Sequence, residues 1–159
     1  MFKNRRASRA IFVEFIYANL FGLVSLSILL EVLQIDEEDF SVNSDYLNKL
    51  MKSFDENKDK IYALVEKYNN RKQNIDQVIL SIIIASTTEM FINNSNVVIA
   101  EYMKISDILG CNTNFVNGIL DIIKKDEIIL QIQEDIKEEM NIENKPKEEM
   151  NIENKPKEI

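Results

Sequence analysis

The sequence contains no histidine and no tryptophan, a single cysteine, two prolines and three glycines among 159 residues. Without histidine there is no imidazole for acid/base catalysis and none of the usual zinc sites. Cys111 stands alone, so no intrachain disulfide or paired-thiol motif can form, in keeping with a reducing compartment. With no imidazole to activate it, Cys111 reads as a loop thiol rather than a nucleophile. Glycine-rich phosphate loops, nucleophile elbows and metal-spaced carboxylates are also missing. A non-enzymatic protein with no cofactor and no metal is therefore expected. Both prolines fall within the last fourteen residues, so the body of the chain has almost no breakers. Together with abundant Leu, Ile, Lys and Glu, that favours long helices and an all-α fold.

Apolar residues make up 45% of the chain and charged residues 29%, a globular balance at a length suited to one domain. We place a helical domain over residues 1–130 and an acidic extension over 131–159. The formal net charge is -8, yet Lys3, Arg5, Arg6 and Arg9 open the chain with no acid among the first ten residues. The overall charge argues against tight non-specific nucleic-acid binding, while a local basic patch can still hold an anionic polymer. In the extension the decapeptide EEMNIENKPK occurs twice, at 138–147 and 148–157. Ten residues match neither a heptad nor an eleven-residue coil, and Pro146 and Pro156 should interrupt a helix. A disordered charged tail is expected, able to compete electrostatically for the basic opening.

Residues 5–20 place Ile11, Phe12, Phe15, Ile16 and Leu20 on one helical face. Arg5, Arg6 and Arg9 occupy the first turns, where cations oppose the helix dipole, so binding explains them better than helix stability does. With Tyr17 they could form an RNA arm, arginine forking onto phosphate and tyrosine stacking on an unpaired base. The bland alternative is a solvated basic end with Tyr17 in the core. A membrane anchor over Ile11–Leu30 is a third reading, opposed by Glu14 and Asn19 inside the run.

Further helices are expected from Leu23 to Gln34, from a Ser44 cap through Tyr68, and from Asn74 or Asp76 onwards. The last of these is apolar on nearly all sides from Val78 to Ala85, as for a helix in the middle of a bundle; no strand partner supports the β alternative. The lysines at 49, 52, 58 and 60 read as a solvated face. Ser95 or Asn96 should cap a helix that stops at Gly110. Residues 115–121, Phe-Val-Asn-Gly-Ile-Leu-Asp, place Gly118 inside an apolar helix, which suggests a seam where another backbone approaches closely. That helix can continue through Ile123 towards Ile136.

The phrase FVNGILD resembles the C-terminal signature of the NusB family, the bacterial transcription antitermination factors. Arg5-Arg6-Ala7-Ser8-Arg9 followed by Phe12, Val13, Ile16 and Tyr17 resembles the family's arginine-rich opening, with ungapped spacing. Thr88-Glu89-Met90-Phe91 and the stretch from Val97 to Gly110 also match. The resemblance implies two small antiparallel helical subdomains packed as one domain, about seven helices in all, with the FVNGILD helix near the arginine-rich one. It implies a cytoplasmic, non-membrane protein that binds the boxA RNA of ribosomal-RNA transcripts together with NusE, the small-subunit ribosomal protein, within the RNA polymerase antitermination complex. Arg5, Arg6 and Arg9 would take phosphates, Tyr17 and Phe115 would meet unpaired bases, and Glu89 would face NusE. Glu14 replaces the family's usual glutamine, Ala100 its asparagine, and the loop 111–114 is shorter and lacks its acidic residue. A helical interaction module that has lost RNA binding is the second reading.

Overall fold

The computed structural model describes residues 5–21, 43–69 and 75–153, with side chains as far as residue 143 and excepting Phe21. The expected helix Leu23–Gln34 lies outside the described residues. Those residues form six helices and no strand: α1 Arg5–Phe21, α2 Ser44–Tyr68, α3 Gln77–Met90, α4 Ser95–Ile108, α5 Thr113–Ile123 and α6 Glu127–Glu153.

The starts of α2 to α6 share one device. Asn43, Asp76, Asn94 and Asn112 each accept a hydrogen bond from a backbone N–H of the first turn, and Asp126 does the same for Ile128 at the start of α6. Short Asx side chains satisfy donors that have no partner within the helix. The caps expected at Ser44 and Ser95 are thus shifted by one residue, because asparagine precedes each serine and takes the role. Asp126 also breaks the helix expected to run from Asp121 towards Ile136, since its side chain starts a new one.

The central element is α3, packed against α1, α2, α4 and α5. Its all-round apolar surface requires this position. Ser81, Ser86, Thr87 and Thr88 are buried in it without strain on hydrogen bonding, because each hydroxyl donates to the carbonyl four residues earlier. Around α3 a single buried cluster joins Phe12 and Ile16 of α1, Leu50 and Ile61 of α2, Tyr102 of α4, Leu120 of α5 and Ile129 of α6.

Two sequence expectations change in α5. Val116, Leu120 and Ile123 form its buried stripe, one residue in three or four, whereas Gly118 is exposed and a Cβ built on it would meet nothing within 4 Å. Gly118 is not a close-packing seam. The main neighbours of α5 are α4, α3 and α2, and not the arginine-bearing α1. Gly110, by contrast, has φ +71°, the left-handed conformation that ends α4.

Helix α6 passes the α3–α4 turn at Gln133, whose amide donates to the carbonyls of Met90 and Asn93 at 2.8 Å and accepts from the Ser95 N–H at 3.0 Å. Its backbone stays helical to Glu153, so Pro146 lies inside a helix rather than ending one. A proline removes one ladder bond and crowds one carbonyl, which an extended helix can absorb by bending.

Candidate nucleic-acid interface

The basic end of α1 is built from two opposite faces. Arg9 is in phase with Phe12, Val13 and Ile16, and that register carries its long side chain inwards. Only 4% of it is exposed, and its guanidinium closes on Glu89 of α3, which is fully buried. Nε of Arg9 is 2.8 Å from Oε1 and 3.1 Å from Oε2, and Nη2 is 3.0 Å from Oε2. The same carboxylate accepts from the Tyr102 hydroxyl at 3.3 Å and from Asn93 Nδ2 at 3.3 Å. Tyr46 of α2 completes the network, accepting from Arg9 Nη2 at 3.4 Å and from Asn93 Nδ2 at 3.1 Å.

The electrostatics follow from burial. Desolvation works against the Arg9 cation, but the hydrogen bond and charge of Glu89, reinforced by Tyr46, outweigh it and hold the guanidinium protonated above its ordinary range. Burial, then the charge of Glu89, pushes the phenols of Tyr46 and Tyr102 up, so both stay neutral. A buried ion pair without such supporting bonds would lose more in desolvation than it gains. Here the fork of the guanidinium and two neutral donors, Tyr102 and Asn93, fill the lone pairs of Glu89.

Arg9 and Glu89 were expected to touch phosphate and a partner protein respectively. Each instead fills the other's polar valence inside the bundle. In the structure both are withdrawn from solvent and tie the start of α1 to the end of α3. Ser8, also buried, reinforces the tie by donating to the Asn43 carbonyl at 2.9 Å and accepting the Asn43 N–H at 3.0 Å.

Arg5 and Arg6 remain exposed. The Arg5 guanidinium lies 4.6 Å over the Tyr46 ring, on which Arg9 also stacks at 5.3 Å. Arg6 Nε is 3.4 Å from Glu101 Oε2, a carboxylate shared with Lys104 at 3.1 Å and, more distantly, Arg9 at 3.7 Å. Burial opposes the Glu101 charge, but Lys104 and then Arg6 and Arg9 hold its pKa below the ordinary value. Tyr17 presents 38% of its surface. Phe115 is half-buried outside the core stripe of α5, in a groove of about 390 Å³ with Tyr68, Gly118, Ile119 and Ile122.

Sequence reasoning missed Tyr46, Asn93, Glu101 and Tyr102. A signal for the pair existed: Arg9 belongs to the apolar stripe of its own helix, and Glu89 ends a helix otherwise free of charge. Cys111 fits its reading as an inert thiol, since burial and then the charge of Asp76 push its pKa up. Among the described residues no cluster of three or more potential ligands could hold a metal ion, and no helix is long and apolar enough to cross a membrane.

The described residues thus form an all-helical bundle with two exposed arginines on its first helix and a buried ion pair behind them. The sequence model of the NusB family matches residues 6–125. The chain belongs to that family, whose members are RNA-binding factors of transcription antitermination. No curated protein and no solved structure matches it.

Proposed function

We propose that the protein holds the boxA element of nascent ribosomal-RNA transcripts together with NusE and delivers both to the RNA polymerase antitermination complex in the cytoplasm. The observation that carries this reading is the division of labour on α1: Arg9 is consumed internally, while Arg5 and Arg6 stay at the surface. Arg5 and Arg6 are the phosphate contacts, and Tyr17 and Phe115 meet unpaired bases. Residues 1–130 carry the function and 131–159 form a charged extension. Because few cations are offered, the protein alone binds weakly and gains affinity with NusE.

The test is a titration of labelled boxA RNA, with and without NusE, at low and high salt. Binding that weakens with salt and is reduced by Arg5→Gln and Arg6→Gln supports the proposal. The second reading, an interaction module without RNA binding, draws on one observation: Glu101 already neutralises part of Arg6. Absence of salt-dependent binding in either mixture favours it.

A further inference from the structure

We propose that the groove between α2 and the α3–α4 turn is a phosphate track for single-stranded RNA, carried by Lys49 and Lys52 and continued by Arg5. The inference rests on the RNA-binding reading and extends it to a helix that has no part in it so far. The groove encloses about 410 Å³ and sets Lys49, Lys52 and Glu56 of α2 opposite Phe91, Ile92 and Asn93. Positions 49, 52 and 56 fall on one helical face, so the two ammonium groups project side by side over the groove.

Three cations, Arg5, Lys49 and Lys52, and one carboxylate, Glu56, line this groove, whereas the other described lysines without an ion pair, Lys58, Lys60, Lys125 and Lys137, lie outside it. Arg6, Arg9, Lys67, Lys104 and Lys124 each face a carboxylate. Among the described residues, Arg5 and Lys49 face none within ion-pair distance, even though Asp45 lies one turn before Lys49. Lys52 meets Glu56 at 3.8 Å with both side chains largely exposed. Such a pair contributes little and is readily exchanged for a stronger anion. The groove therefore keeps net positive charge in a chain of net charge -8.

Position adds to charge. Arg5 is braced over Tyr46, whose hydroxyl is held by Asn93 and Arg9, so its guanidinium lies at the groove's end before any ligand arrives. A row of cations suits a sugar-phosphate backbone, and of the two aromatic residues in the lining Tyr46 is buried beneath Arg5 while Phe91 is partly exposed. An acidic peptide offers the same charge; RNA is favoured because Arg5 joins the groove to the basic turn of α1.

The experiment titrates labelled boxA RNA into the full chain with NusE over a salt series, comparing Lys49→Gln/Lys52→Gln with Lys60→Gln, an exposed lysine outside the groove. All three side chains are exposed, so the variants fold. The double variant should bind roughly tenfold more weakly at low salt, with a log–log salt slope shallower by about 1.4, or about 0.7 per lost contact. Lys60→Gln should match the unaltered chain. A double variant with undiminished affinity and slope overturns the groove while leaving the RNA reading intact, as does an equal loss in Lys60→Gln. No salt-dependent binding by the unaltered chain overturns both. Displacement of the RNA by poly-glutamate at low micromolar concentration would reassign the groove to an acidic protein segment and overturn the inference.

Discussion

Arg9 and Glu89, eighty residues apart in sequence, meet inside the bundle with Nε 2.8 Å from Oε1 and both side chains withdrawn from solvent. The pair turns a run of arginines into two populations, one that holds α1 on α3 and one that faces outwards.

Removing either partner leaves a buried, uncompensated charge. Arg9→Met should destabilise the protein by about 3–5 kcal/mol, and Glu89→Met by a similar amount. In a chain of this size each kcal/mol lowers Tm by about 2–4 °C. The double Arg9→Met/Glu89→Met variant should lose much less than the sum, because no orphaned charge remains. Thermal or urea unfolding of the four proteins completes the cycle; strict additivity would show that the pair is not coupled.

Asp126, Tyr46 and Tyr102 contribute to the pH dependence of stability. Burial opposes ionisation of Asp126, but the Tyr68 hydroxyl at 2.5 Å, the Ile128 N–H and Lys67 at 3.0 Å hold its pKa below the ordinary 3.8. A depressed carboxylate stabilises the fold above that ordinary value, and the stabilisation is lost as pH falls through the depressed one. Asp126→Asn should therefore lower stability at neutral pH and flatten the acid limb. Tyr46 and Tyr102 behave in the opposite sense, their pKa values lying above the ordinary 10.0. Their contribution is present below pH 10 and lost as pH rises through the raised values. Urea midpoints measured across the pH range, with Asp126→Asn alongside, check both limbs.

The glycines separate by backbone rather than by space. Neither of the two described glycines, Gly110 and Gly118, has an atom within 4 Å of a built Cβ, but of the two only Gly110 has a positive φ. Gly118→Ala should raise stability by about 0.5–1 kcal/mol through helix propensity. Gly110→Ala should lower it by about 1 kcal/mol through strain at the left-handed turn. Denaturant midpoints decide; a destabilising Gly118→Ala would restore the close-packing seam.

The part of the extension that supports the fold should reach Gln133. Ile129 is fully buried and Gln133 satisfies three backbone groups at the α3–α4 turn. A chain ending at Glu143 should unfold at the same urea concentration as the full chain. One ending at Lys125 should be less stable by several kcal/mol, having lost a buried isoleucine and the Gln133 bonds.

The fold was legible because apolar period and caps agree along most of the chain: α2 kept phase across Asp55–Lys60 and is one helix, and the all-round apolar α3 is central. What escaped was pairing over distance. Residue type marks Arg9 as a phosphate ligand, and only the bundle shows Glu89 waiting for it. Gly118 misled for a related reason, since helical propensity argues that a glycine needs an explanation but does not say which face it occupies. Helix α6 ran past Pro146 because a single lost bond does not decide the course of a long helix.

The central claim is that Arg5 and Arg6 bind RNA while Arg9 holds the fold. The most direct measurement sets RNA affinity beside Tm for Arg5→Gln/Arg6→Gln and for Arg9→Met, with boxA RNA and NusE at low salt. The account predicts that the first variant keeps its Tm and loses about tenfold or more in affinity, while the second loses Tm by roughly 6 °C or more. Full RNA affinity in Arg5→Gln/Arg6→Gln, or an unchanged Tm in Arg9→Met, would contradict it.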